Sequence, residues 1–113
     1  MNCGITKRMK FGMQYKFGDI ILAEVQYTDT FEIKRRPALI LFEEYDNIVV
    51  AGITSNRKMK GIEIKKEEGL PKDSIIKLNY IFTISANMII TKLANLSEHK
   101  KKLVKNYLIN KIK

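Results

Sequence analysis

Residues 34–54 read KRRPALILFEEYDNIVVAGIT, and this stretch decides the fold. Two apolar runs, residues 37–42 and residues 47–54, flank a short polar segment, residues 43–47. β-Branched residues dominate the second run, which favours a strand, and the near absence of polar residues indicates burial on both sides. The polar segment has the length of a hairpin connection. We therefore predict an antiparallel hairpin whose first strand opens at Pro37, where a missing N–H is tolerated.

Further short strands are predicted on both sides of this hairpin. Each is an apolar or alternating run with turn residues at its ends, and together they cover residues 19–26, 61–65, 74–85 and 89–93. The run at residues 74–85 is long enough for one strand or for two bent ones. The polar segments between the runs are predicted as loops or turns, at residues 27–36, 55–60 and 67–73.

A helix is predicted at the C-terminal end, after Ser97, which is a suitable N-cap residue. Its apolar residues recur at spacings of three and four, so they form one stripe that we expect to pack on the sheet. The stripe consists of Leu103, Val104, Tyr107, Leu108 and Ile112. The opposite face is rich in lysine and is expected to be solvated. Many short strands followed by one helix predict a mainly β fold, a strongly bent sheet or small barrel with the helix outside.

Length and composition indicate one globular domain and exclude several classes of protein. The chain has 113 residues, 45% of them hydrophobic. A lone Cys3 cannot form an internal disulfide, which fits a reducing cytoplasm, and with His99 as the single histidine the usual zinc spacings are excluded. No apolar run approaches the roughly 20 residues of a membrane span, and the N-terminus lacks the apolar region of a secretory signal. We expect a cytoplasmic protein with one domain, residues 13–113, after an extension of unknown role, residues 1–12.

The charge of the chain points to an anionic partner. The net charge is +9, from 21 Lys and Arg against 12 Asp and Glu, and nucleic acid is the commonest partner of such a protein. The cations of residues 34–36 nevertheless lie in the acidic part of the chain, residues 19–55, which carries three cations and seven acids. A lysine-rich surface that follows from a biased composition explains the same net charge, so charge alone does not assign a function.

Five motifs, taken in order, resemble one known family. They are FGDIIL (17–22), KRRPALI (34–40), VVAGITS (49–55), GLPKDSII (69–76) and IFTI (81–84). Their order and spacing resemble the MazF/PemK family of toxins from type II toxin–antitoxin systems over residues 15–112. The resemblance implies a small SH3-like β-barrel of the plasmid-toxin type with a C-terminal α-helix, which forms a homodimer. It also implies an endoribonuclease that cuts single-stranded RNA without a metal or other cofactor and is held inactive by an acidic, partly disordered antitoxin.

The resemblance also implies which residues act. The family's catalytic arginine directly precedes the proline, at Arg36, and its catalytic threonine ends the third strand, at Thr54. The serine near the family's RNA path is Ser74. Some relatives carry Gln and Arg where this chain has Tyr80 and Phe82, and Asp-Lys where it has Ser85 and Ala86. The RNA sequence that is cut therefore does not carry over from the family.

The residue types fit cleavage of RNA by its own 2′-OH. An arginine pairs its planar guanidinium with two phosphate oxygens and stays charged, so Arg36 suits the stabilisation of the developing charge. Thr54 would orient the 2′-OH or relay a proton, because a threonine hydroxyl alone is a poor base. The further residues expected to contact RNA, as cations, hydroxyls or base-stacking aromatic rings, are Lys34, Arg35, Ser55, Arg57, Lys58, Ser74, Tyr80 and Phe31.

Three alternatives stay open at this point. The run KRRP, residues 34–37, is by composition alone a solvated charged turn in front of a strand. A non-catalytic toxin of the same fold, of the type that poisons gyrase, would bind protein rather than RNA. A basic β-barrel that binds nucleic acid without cutting it would show a salt-dependent affinity and no cleavage.

Overall fold

The computed structural model describes residues 15–26, 33–56, 58 and 60–112. Within them the chain forms six strands and a C-terminal helix: β1 (Asp19–Gln26), β2 (Ile33–Glu44), β3 (Asn47–Thr54), β4 (Ile62–Ile64), β5 (Ser74–Ser85), β6 (Ile89–Asn95) and α1 (Glu98–Ile112). Short 3₁₀ turns, Lys66–Glu68 and Ala86–Met88, follow β4 and β5. The predicted extension, residues 1–12, and the domain start at residue 13 lie outside the described residues.

The strands form one antiparallel sheet in the order β4-β5-β3-β2-β1-β6, which curls into a half-barrel. The segment after β4 returns to the opposite edge of this sheet. A Cβ atom added at Gly69 would lie 2.7 Å from the Cβ of Ala94 in β6, and the φ of +116° at Gly69 is one that other residues rarely adopt. The two edges of the curl are therefore brought together by close packing at a glycine.

Two apolar clusters, one on each face of the sheet, hold the strands together. The helix-side cluster contains Ile20, Leu39, Ala51, Ile53, Ile64, Leu70, Ile76, Leu78, Leu96 and Val104. The opposite-face cluster contains Ile21, Ala23, Ala38, Ile40, Ile48, Val50 and Ile84. Successive residues of a strand point to opposite faces, so β1 and β3 need apolar residues at nearly every position when both faces are covered. This confirms the prediction that residues 47–54 form a strand buried on both sides.

The predicted hairpin is confirmed, with a two-residue turn at Tyr45 and Asp46, but its first strand begins earlier than predicted. Residues 33–36, predicted as part of a polar loop, belong to β2, so Pro37 lies inside the strand rather than at its first position. Residues 33–37 are registered with β1 alone, and the register with β3 starts only at Ala38. A residue without an N–H donor is tolerated where β2 has one neighbouring strand.

The C-terminal helix confirms its predicted cap and corrects its predicted apolar stripe. The backbone N–H of Lys100 donates to Oγ of Ser97 at 3.2 Å. Val104 is buried and Leu108 half-buried, whereas the predicted stripe residues Leu103, Tyr107 and Ile112 are 36–80% exposed. Only a narrow part of the helix surface contacts the sheet, so the sheet covers only some of the five stripe residues. Among the described residues, no helix has the length and apolar character that crossing a membrane requires.

Candidate functional site

The hairpin of β2 and β3 brings Arg36 and Thr54 to the same end of the sheet. Ala38 pairs with Gly52, and Arg36 and Thr54 lie two residues beyond this last pair of the two strands. Both residues line two adjoining clefts, together with Pro37 and Ile53. Strand alternation puts Arg36 on the face of the opposite-face cluster, as it does Ala38 and Ile40.

The first of these, the aromatic cleft, has a volume of about 210 Å³. Besides the four shared residues it is lined by Val25, Gly52, Lys77, Tyr80 and Phe82. The second, the serine cleft, has a volume of about 190 Å³. It adds Ser55, Pro71, Lys72 and Ser74 to the shared residues. The two clefts together form a groove that presents a guanidinium, two ammonium groups, three hydroxyls of Ser and Thr, and two aromatic rings.

The hydroxyl of Thr54 is oriented by the loop that follows β3. Thr54 Oγ1 accepts a hydrogen bond from the backbone N–H of Asn56 at 3.1 Å. A threonine hydroxyl has one proton to donate and two lone pairs. Because the backbone occupies one lone pair, the proton is left to donate to a ligand oxygen in the groove.

Lys77 and Tyr80 reach the aromatic cleft because β5 slips against β3. Ala51 pairs with Ile81, but its neighbour Gly52 pairs with Lys77, so residues 78–80 bulge out of the register. Without the bulge, strand alternation would send Lys77 and Tyr80 to opposite faces. With it, both lie beside Gly52.

The aromatic rings of the cleft are held close to the sheet. A Cβ atom added at Gly52 would lie 2.7 Å from Cδ2 of Tyr80, so the ring occupies space that only glycine leaves open. The centroids of the Tyr80 and Phe82 rings are 5.1 Å apart, with a tilt of 38°. Lys77 Nζ lies 5.2 Å from the Tyr80 centroid, within cation–π range.

Ser74 is buried, with 4% of its surface exposed, at the start of β5. Its Oγ donates to the carbonyl oxygen of Lys72 at 2.9 Å. This bond fixes the turn that carries Pro71 and Lys72 into the serine cleft. Ser74 keeps lone pairs to accept a hydrogen bond, but its proton is already used.

The other residues predicted to contact RNA lie outside the two clefts or outside the described residues. Nε of Arg35 is 3.4 Å from Oε2 of Glu24, so Arg35 forms an ion pair across the strands. Lys34 and Lys58 line neither cleft. Phe31 and Arg57 are not among the described residues.

Lys72 and Lys77 were not predicted from the sequence as cleft residues. One signal for Lys77 was present, because it is the sole charged residue in the run SIIKLNYIFTIS of β5. Its position in the cleft depends on the bulge, which local alternation does not reveal. In the described part of the chain, no group of three His, Cys, Asp or Glu side chains is placed to hold a metal ion.

Comparison with known proteins agrees with this architecture. Residues 16–112 match the family model of the PemK-like, MazF-like toxin of type II toxin–antitoxin system. A search of curated protein sequences finds no match. The fold is similar to that of the Mycobacterium tuberculosis toxin MazF-mt6, with a TM-score of 0.63, 21% identity and coverage of 80% of this chain and 93% of that one.

A second solved structure is an endoribonuclease in complex with its cognate antitoxin from a mycobacterial species. The TM-score is 0.63 at 12% identity, over 86% of this chain and 90% of that one. At these identities the two structures establish the fold, and the family model, which spans most of the sequence, establishes the family. The predicted family and the predicted mainly β fold are both confirmed: the chain belongs to the PemK-like, MazF-like toxins of type II toxin–antitoxin systems.

Proposed function

We propose that the chain is a toxin that cuts single-stranded RNA in the cytoplasm, without a metal, in the groove formed by the two clefts. The observation that carries the proposal is that Arg36 and Thr54, each two residues beyond the last β2–β3 pair, Ala38 and Gly52, line both clefts. Family membership supports it, as does the fold shared with an endoribonuclease. The groove offers cations for phosphates and rings for bases, which is the combination that single-stranded nucleic acid binds.

The proposed reaction is attack of the ribose 2′-oxygen on the adjacent phosphorus. The new P–O2′ bond forms as the P–O5′ bond breaks, which leaves a 2′,3′-cyclic phosphate and a 5′-OH. Solvent water takes the proton of the 2′-OH, and the leaving 5′-oxygen takes a proton from water. Arg36 holds two non-bridging oxygens and stabilises the charge that builds up on them in the transition state.

Thr54 positions the nucleophile in this proposal. Its Oγ1 accepts from the N–H of Asn56, so its own proton is available to a ligand oxygen, which in this proposal is the 2′-oxygen or a phosphate oxygen. Lys72 and Lys77 lie on either side of the proposed reaction centre, one in each cleft, and attract the RNA backbone. The buried Ser74 keeps the Lys72 turn in place.

The test is cleavage of a long unstructured RNA in EDTA, followed by mapping of the fragment ends. We expect cyclic phosphate and 5′-OH ends from the wild type and a rate at least about 100-fold lower for Arg36→Ala. Arg35→Ala removes the same charge one residue away, from an ion pair with Glu24, and should keep the rate within a few-fold. Lys102→Ala, on the exposed face of α1, controls for net charge.

Two results would contradict the proposal. Intact RNA with the wild type would favour a toxin or nucleic-acid-binding barrel that does no chemistry. Equal losses of rate for Arg36→Ala and Arg35→Ala would mean that total charge, rather than the groove, decides the reaction.

We also infer two protein partners, an acidic antitoxin and a second copy of the chain. The net charge of +9 favours an acidic partner, and the mycobacterial endoribonuclease of the same fold was solved with its cognate antitoxin. Exposed apolar residues on α1, among them Tyr107, Ile109 and Ile112, offer surface for association. Light scattering of the purified chain should give twice 13.1 kDa. A monomer at micromolar concentration would contradict the dimer, and failure to copurify with an acidic protein encoded beside it would contradict the antitoxin.

A further inference from the structure

Tyr80 is exposed in a way that packing does not explain. The residue is 49% exposed, although one edge of its ring packs against Gly52 and Phe82. A large aromatic side chain gains most when it is covered, and here the bulge of β5 turns it into the aromatic cleft. The ring therefore packs against the sheet on one edge and is open to the groove on the other.

Lys77 covers this ring only loosely. The ammonium lies 5.2 Å from the ring centroid, and a cation–π contact at an exposed site is weak. A charge-assisted hydrogen bond to a phosphate is stronger. Lys77 has a long flexible side chain, so a phosphate can compete with the ring for its ammonium group and free the aromatic face for a base.

The ring lies one short step along the sheet from the proposed reaction centre. Gly52, which supports Tyr80, and Thr54 are two residues apart in β3, which is about 6.6 Å of extended strand. Arg36 and Thr54 hold one phosphate in the proposed function. The base of a neighbouring nucleotide then falls within reach of Tyr80.

We propose that Tyr80, backed by Gly52 and Phe82, is a stacking subsite for an unpaired base next to the phosphate that is cut, with Lys77 as the cation for that nucleotide's phosphate. The inference rests on the proposed function, because it takes single-stranded RNA as the ligand. Stacking accepts any base, since every base has an aromatic face. Stacking on Tyr80 therefore adds affinity without reading the edge of the base.

The test compares two non-cleavable oligonucleotides of equal length and charge. One is a 2′-O-methyl RNA strand with bases, and the other is the same strand with abasic residues throughout. We expect the wild type to bind the base-bearing strand on the order of ten-fold more tightly, measured by fluorescence anisotropy. Tyr80→Leu should weaken binding of the base-bearing strand alone, so that the two dissociation constants converge, while Tyr80→Phe should retain the preference.

Lys77→Ala separates the roles of the ring and the cation. This substitution should weaken the binding of both oligonucleotides by a similar factor, because both carry the same phosphates. Lys102→Ala, on the exposed face of α1, should leave both dissociation constants and their ratio unchanged. Melting curves of each variant establish that the fold is kept.

The outcomes distinguish the subsite from the proposed function. A base preference that Tyr80→Leu removes supports the subsite even if the wild type cuts no RNA, and the missing cleavage then counts against the nuclease alone. Equal affinity of the wild type for the two strands, or a preference that survives in Tyr80→Leu, overturns the subsite even if RNA is cut. A Tyr80→Phe variant that loses the preference also overturns it, since phenylalanine keeps the ring.

Discussion

At the scale of single residues, the aromatic cleft depends on a missing side chain. Gly52→Ala would place a Cβ atom 2.7 Å from Cδ2 of Tyr80, so the ring has to move. Tyr80 is half exposed and can move outward, and we therefore expect the free energy of unfolding to change by no more than about 1 kcal/mol. Cleavage and the preference for base-bearing strands should both fall. Thermal unfolding and oligonucleotide anisotropy on the same variant measure the two effects.

Gly61→Ala is the matched control for that substitution. Its added Cβ would collide with the backbone carbonyl oxygen of Ile76, which cannot rotate away as a side chain does. Neither cleft is lined by Gly61. We expect a loss of stability of about 2 kcal/mol or more, with the base preference of the folded fraction intact. If both glycine variants changed only the stability, and neither cleavage nor the base preference, the close contact of Gly52 with Tyr80 would have no functional role.

Thr54 offers a second residue-scale prediction, because its hydroxyl and its shape can be changed separately. Thr54→Val keeps the branched shape and removes the hydroxyl, whereas Thr54→Ser keeps the hydroxyl. If the hydroxyl orients the 2′-oxygen, the valine variant should cut RNA about 100-fold more slowly, with little change in affinity for a non-cleavable strand. The serine variant should stay within about ten-fold of the wild type. A valine variant as fast as the wild type would remove Thr54 from the mechanism.

At the scale of elements, α1 is fixed to the sheet by a polar contact beside its narrow apolar line. Nζ of Lys100 donates to the carbonyl oxygen of Glu63 in β4 and to Oε2 of Glu68, the latter at 2.9 Å. The predicted solvated lysine face is therefore wrong for Lys100. The backbone N–H of Lys65 donates to the same carboxylate at 2.9 Å. The side chain of Lys100 therefore joins the helix to both β4 and the 3₁₀ turn.

The Glu68 contact predicts a pH dependence of stability. Burial raises the pKa of Glu68, but the hydrogen bonds from Lys100 and Lys65 and their charges outweigh it, so its pKa lies below the ordinary value of 4.5. A lowered pKa in the folded state contributes stability above pH 4.5, and that stability is lost as the pH falls through the folded pKa. Glu68→Gln should therefore cost about 1 kcal/mol at pH 7.

Denaturant unfolding of wild type and Glu68→Gln at pH 7, 5 and 3 measures this effect. The difference in unfolding free energy should be largest at pH 7 and should close below pH 4.5. Glu67→Gln, at an exposed position in the same 3₁₀ turn, is the control for a lost surface charge. A gap that stays constant from pH 7 to pH 3 would mean that the carboxylate charge of Glu68 does not stabilise the fold.

Elements were predicted well where burial leaves a pattern in the sequence. Residues 19–26, 47–54 and 74–85 are strands with the predicted bounds, because strands covered on both faces need long apolar runs. The start of β2 was missed because Lys34 and Arg35 read as loop. In the sheet, Arg35 forms an ion pair with Glu24 on the neighbouring strand. Glu24 is 11 residues away in the sequence, so a short stretch around Arg35 does not reveal this pair. The hairpin of β2 and β3 predicted that Arg36 and Thr54 lie at the same end of the sheet, whereas the position of Lys77 depends on a slip between β3 and β5.

At the scale of the whole molecule, the groove lies where the strands of the sheet part. Both of its faces are covered by apolar clusters, and β3 is buried from Val50 to Ile53. Polar side chains gather at its end, where β2 continues with β1 alone and the turn before β5 approaches. The groove is therefore a consequence of the curl of the sheet, and its cations come from three different segments of the chain.

That arrangement predicts that the affinity for RNA depends only weakly on salt concentration, in spite of the large net charge. The groove presents three described cations, Arg36, Lys72 and Lys77, and the lysines of α1 lie outside it. Each phosphate contact with a single strand contributes about −0.7 to the slope of log K against log salt concentration, so the slope should be about −2. Lys72→Ala should reduce its magnitude by about 0.7, whereas Lys102→Ala should leave it unchanged. A wild-type slope of about −5 or steeper, reduced equally by both variants, would mean that the charge of +9 binds RNA over the whole surface and that the groove is not the site.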